Sequence, residues 1–147
     1  MTAKTVCDIR FIEYLPPIDG HFWFVHEDGT IEDPWFGWYD YVIKVNGLDR
    51  NKQHYLPADD ITQQLATRFY EKALPEPAYQ IVKKHFKGKP QKGYCYVNVR
   101  LALEKNKGKG KIVFGSMGWT IKDTTKIHYE FGGTPEQGYR MFKDFRR

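Results

Sequence analysis

The hydrophobic pattern changes period along the chain. VCDIRFIEY (6–14) alternates apolar and polar positions, HFWFV (21–25) is apolar on both faces, TIEDPW follows an Asp28-Gly29 turn, and YDYVIKV (39–45) alternates again. These segments predict strands, with Pro16 and Pro17 keeping the first connection extended. From residue 58 the period lengthens. Asp59 and Asp60 precede Ile61, Leu65 and Phe69 at i, i+4 and i+8, predicting a helix with one buried stripe that ends at Leu74-Pro75. A second helix from Pro77 aligns Ala78, Ile81, Val82 and Phe86, and a third, from about Tyr94 to Lys105, aligns Cys95, Val99, Ala102 and Leu103. KIVFGSMGWTIK and KIHYEF predict two more strands, and TPEQGYRMFKDFRR a closing helix, with Thr134 and Gln137 as a capping box.

Strands, then helices, then strands and a last helix describe an α+β chain with a mainly antiparallel sheet and three to four helices. No repeat or linker divides residues 1–147, so a single domain is expected.

Composition narrows this picture. Aromatic residues make up 16% of the chain, which predicts a ring-rich core, and the run Trp35, Phe36, Trp38, Tyr39 and Tyr41 reads as part of it. Cys7 and Cys95 show no zinc-ligand spacing, and the five histidines (21, 26, 54, 85 and 128) form no metal-binding motif, so neither metal nor cofactor is expected. The N-terminal segment has no apolar core of a signal peptide, and no apolar run is long enough to span a bilayer. The expectation is a cytoplasmic protein that does not enter a membrane.

Two separated segments carry candidate chemistry. Cys95 follows Gly93 and Tyr94 at a helix start, where unpaired N–H groups and the positive end of the helix dipole favour a thiolate. The competing reading makes Cys95 a small apolar core residue beside Val99 and Ala102. In HFWFVHEDGTIEDPW, His21 opens a strand and Asp33 closes the return strand. Such a carboxylate can orient an imidazole and stabilise its cation. The turn decides whether they meet. A two-residue turn pairs Phe24 with Asp33 and turns His21 to the other face, whereas a three-residue turn with Gly29 as a left-handed bulge pairs Trp23 with Asp33 and brings His21 within reach. The sequence leaves both registers open. His128, followed by Glu130, is an alternate base, and Asn98, three residues past Cys95, is an alternate donor to an oxyanion. Gln91 is a further candidate donor.

H-x-W-x-V-x-x-D-G-x-I-x-D-P over 21–34 and G-x-C-Y-x-N-V over 93–99 resemble small phage and bacterial papain-like proteins of unknown function. Cys95 and Asn98 match one segment of that family, and His21, Trp23, Gly29 and Asp33 match the others. The segment order is reversed, as in circularly permuted papain-like proteins, and the likeness covers about a quarter of the chain. It implies a papain-like core and a cysteine hydrolase, amidase or deamidase acting on a protein or small amide, with Cys95 as nucleophile, His21 as base and Asp33 as orienter.

A formal net charge of +5 opens a second function class. Lys83, Lys84, Lys87, Lys89 and Lys92 crowd the approach to Cys95, and Lys105, Lys107, Lys109 and Lys111 follow its helix. Together with Phe86 and Tyr94 they could form a non-catalytic binding or inhibitor surface for a protein or for nucleic acid. Lysines without arginines would bind a phosphate backbone non-specifically.

Overall fold

The structure, a computed structural model, describes residues 20–131. The predicted strand at 6–14, the closing helix from Thr134, and Cys7 lie outside these residues. The described chain runs β1 (His21–Val25), β2 (Ile31–Glu32), α1 (Gly37–Val45), β3 (Leu48–Pro57), α2 (Asp60–Ala73), α3 (Glu76–His85), α4 (Cys95–Lys105), β4 (Lys111–Ile121) and β5 (Ile127–Phe131). It is an α+β fold, with four helices on a five-stranded antiparallel sheet.

β4 is the axis of the sheet. Its first half pairs with β1, from Val25↔Lys111 to His21↔Gly115. Its second half pairs with β3 along one edge and with β5 along the other. Because side chains alternate across a strand, Phe22, Phe24 and Phe114 point to one face and Trp23, Met117 and Trp119 to the other. The first face carries α2, α3 and α4, whose Ala66, Tyr79, Val82, Tyr96, Val97 and Val99 complete the larger core. Phe22 meets Tyr70 and Tyr96 through ring contacts at 5.1 and 5.2 Å. The opposite face carries α1, where Tyr39, Val42 and Ile43 pack with Leu48, Met117 and Trp119.

Local signals explain much of this order. Asp59 caps α2 by accepting from the Thr62 N–H at 2.7 Å, and α3 has proline in its first turn. Gln63 anchors α2 to the sheet. Its Oε1 accepts from the Phe114 N–H at 2.8 Å and its Nε2 donates to the Phe114 carbonyl, which extends hydrogen bonding past the end of β3.

Three expectations from periodicity need correction. YDYVIKV is helical, because Tyr39, Val42 and Ile43 lie at helical i, i+3 and i+4 spacing and bury one face on Trp119. The apolar–polar alternation there predicts a strand, but tertiary burial decides otherwise. In α2, Ile61 is 62% exposed and the buried face centres on Thr62 and Ala66, flanked by Leu65 and Phe69. The aromatic run is only partly core. Tyr39 is buried, whereas Trp35, Trp38 and Tyr41 are exposed. No helix among the described residues is long and apolar enough to cross a membrane.

Candidate functional site

The β1–β2 hairpin takes the longer-turn register. Phe24 pairs with Glu32 and Val25 with Ile31, which sets Trp23 opposite Asp33. Gly29 has φ +90° and its N–H donates to the His26 carbonyl at 2.9 Å, while the His26 N–H donates to Thr30 O at 2.8 Å. Glu27, Asp28 and Gly29 are therefore the turn residues, with Gly29 in the left-handed conformation that glycine adopts without strain. His21 and Asp33 then share a face. His21 Nε2 lies 2.9 Å from both carboxylate oxygens of Asp33, and each side chain is 4% exposed.

Asp33 is held from behind. The Tyr55 hydroxyl donates to Asp33 Oδ2 at 2.7 Å, and Gln53 Nε2 donates to that hydroxyl at 2.9 Å. Burial and the neighbouring Asp33 charge push the Tyr55 phenol well above its ordinary range, which keeps it a proton donor to the carboxylate. β3 supplies both residues. The sequence predicts no element over 46–57, and its one usable signal there is the alternation of Gln53 and Tyr55, which puts two hydrogen-bonding groups on one strand face.

The other half of the site arrives on α4. Cys95 is its first residue, and the first α4 backbone bond runs from the Asn98 N–H to the Tyr94 carbonyl at 2.9 Å. N–H groups ahead of Asn98 therefore have no intrahelical acceptor and face the helix start. Cys95 and His21 line the same cavity, and the thiol is among the groups that raise the His21 pKa. Burial alone lowers the pKa of His21, but hydrogen bonds to Asp33 and Cys95 outweigh it and raise the pKa from 6.5 to about 10. The His21 imidazolium thus stands between a carboxylate and a thiol. Cys95 is half-buried, packed against the larger core and lining the cavity.

A cavity of about 320 Å³ opens before this trio, lined by Gly20, Pro34, Phe36 and Trp38 on the hairpin and α1 side. Tyr70, Gln91, Lys92 and Gly93 line the helical side. Gly20 packs tightly on Phe114, and a Cβ there would lie 2.0 Å from the Phe114 ring.

The alternates have other places. The Asn98 amide is committed to the loop before Cys95: its Oδ1 accepts from the Gln91 N–H at 2.9 Å and its Nδ2 donates to the Gln91 carbonyl at 3.0 Å. It fixes the loop that delivers Cys95, and Asn98 also lines the cavity. Gln91 lines the cavity. His128 contacts Glu130 at 3.3 Å on β5, outside the cavity lining, with a side chain 32% exposed. His26 pairs with Glu32 and His54 with Thr120. Among the described residues, no cluster of three or more His, Cys, Asp or Glu side chains is arranged to hold a metal ion.

The lysines before Cys95 have different surroundings. Lys83 pairs with Glu104 at 2.9 Å, Lys92 lies over the Trp38 ring, and Lys84, Lys87 and Lys89 are exposed on the end of α3 and the loop after it. Comparison of the chain with protein-family models, curated proteins and solved structures found no match.

Proposed function

We propose that this protein is a thiol-dependent hydrolase of amide or acyl bonds, with Cys95 as nucleophile, His21 as acid–base group and Asp33 as orienter. The observation that carries the proposal is a single buried imidazole with a carboxylate on one side and a thiol at the mouth of a cavity on the other. The same reading accommodates the likeness to permuted papain-like proteins, since His21 and Asp33 precede the Cys95 helix.

In the proposed reaction, Cys95 thiolate attacks the substrate carbonyl carbon, and N–H groups at the start of α4 offer donors for the developing oxyanion. The imidazolium of His21 gives its proton to the leaving amine as the C–N bond breaks, which leaves a thioester on Cys95. Water then attacks the thioester carbon while His21 takes the water proton. The C–S bond breaks, the acid product leaves, and the thiolate–imidazolium pair is restored. Asp33 keeps the ring oriented throughout and stabilises its charged form.

The test is alkylation near pH 6 with an electrophilic thiol reagent, located by peptide mapping. Cys95 is expected to react much faster than Cys7, and His21→Ala to remove the difference, because a thiol needs its imidazole partner to be ionised at that pH. Equal, slow labelling of both cysteines overturns the proposal.

A further inference from the structure

The cavity before Cys95 is uneven in chemistry. Phe36 and Trp38 give it an aromatic wall, and among the described residues no aspartate or glutamate lines it. Asp33 stands behind His21 with its carboxylate already engaged. Among the described residues, Lys92 is the only lysine or arginine in the lining. Its ammonium lies 4.8 Å from the Trp38 ring centroid, a cation–π distance that holds the charge at the cavity rather than free in solvent. Lys83 is neutralised by Glu104, but Lys92 has no carboxylate partner among the described residues. A cation fixed on an apolar wall, in a cavity whose described lining residues include no carboxylate, attracts anions.

We infer that the cavity takes an anionic amide, whose carboxylate meets Lys92 while an apolar or aromatic group lies against Trp38 and Phe36. This rests on Cys95 being the nucleophile, and it adds the class of substrate. The lysine here acts as a specificity determinant at the cleft.

The experiment uses the full chain and two probes, 4-(vinylsulfonyl)benzoic acid and its neutral carboxamide, each of which adds covalently to a thiolate and carries a ring for the aromatic wall. The ratio of their second-order rates at Cys95 is the readout, because changes in thiolate reactivity cancel in it. The acid is expected to react about fivefold faster than the amide, the scale of a partly exposed ion pair. Lys92→Met should bring the ratio close to unity and Lys92→Glu should invert it. Lys92 is exposed in a loop, so neither change threatens folding. Protection of Cys95 by millimolar N-acetylphenylalanine supports a chain-end carboxylate as the natural group, and protection by N-acetylglutamyl anilide supports an acidic side chain. A ratio that is the same in the parent and in Lys92→Glu overturns this inference and leaves the hydrolase standing. If neither probe reacts faster at Cys95 than at Cys7, the hydrolase itself falls.

Discussion

The β1–β2 and β4–β5 hairpins each set a histidine against a carboxylate, and the surroundings of the two pairs are opposite. His21 and Asp33 are both 4% exposed at 2.9 Å, whereas His128 and Glu130 are 32% and 18% exposed at 3.3 Å. The first pair has Tyr55 behind the carboxylate and Cys95 in front of the ring. The second has neither among its hydrogen bonds. Both pairs join residues close in sequence, so residue type and spacing do not distinguish them. What differs is removal from water: an exposed pair gains little because solvent competes for each charge, while a buried pair couples strongly to whatever else faces it.

The comparison breaks most visibly at the carboxylates. Asp33→Asn should slow alkylation of Cys95 by on the order of 10²–10⁴-fold, since an amide no longer stabilises the imidazolium or fixes its tautomer. Glu130→Gln should leave the rate within about twofold, and stopped-flow alkylation of the two variants is the measurement. Equal losses in both would remove the distinction drawn between the hairpins.

A smaller effect separates folding from chemistry. Gly115 faces His21 across the sheet and Gly118 faces β5, and an added Cβ would lie 2.1 Å from the Leu56 carbonyl oxygen in one case and 2.0 Å from the His128 carbonyl oxygen in the other. Backbone cannot give way as a flexible side chain can. Gly115→Ala and Gly118→Ala should each cost about 1–3 kcal/mol in urea unfolding, and only Gly115→Ala should also slow Cys95 labelling.

Tyr55→Phe removes one hydrogen bond to a charged carboxylate and should cost about 1.5–3 kcal/mol of stability. It should also slow Cys95 alkylation by about fivefold, because Asp33 loses the donor that holds it in place against His21. An unchanged rate would reduce Tyr55 to packing against Trp23, whose ring lies 4.9 Å away.

The least pronounced test is thermal. The pKa of His21 is raised in the folded state, so its contribution to stability is fully present below the unfolded value near 6.5 and is lost as pH rises toward about 10. The parent should lose Tm between pH 7 and 10, and His21→Gln should lose less over the same window. Identical curves would detach the folded-state charge from His21.

The sequence by itself determined the elements whose signals are local. Asp59 before a helical period, proline in the first turn of α3, and the apolar- and aromatic-rich segment of β4 announce themselves within a few residues, because caps, fixed φ angles and composition are short-range physics. It also restricted the β1–β2 hairpin to two registers and put Cys95 at a helix start. Only tertiary structure chose between the registers, since Gly29 tolerates either turn and pairing of His21–Val25 with β4 decides which face is buried. Only tertiary structure made α1 a helix, by burying Tyr39, Val42 and Ile43 against Trp119, and only it brought Tyr55 to Asp33 across 22 positions of chain. The same holds for Cys95 and His21. Their contact depends on α4 packing across β1, a long-range contact that no periodicity encodes.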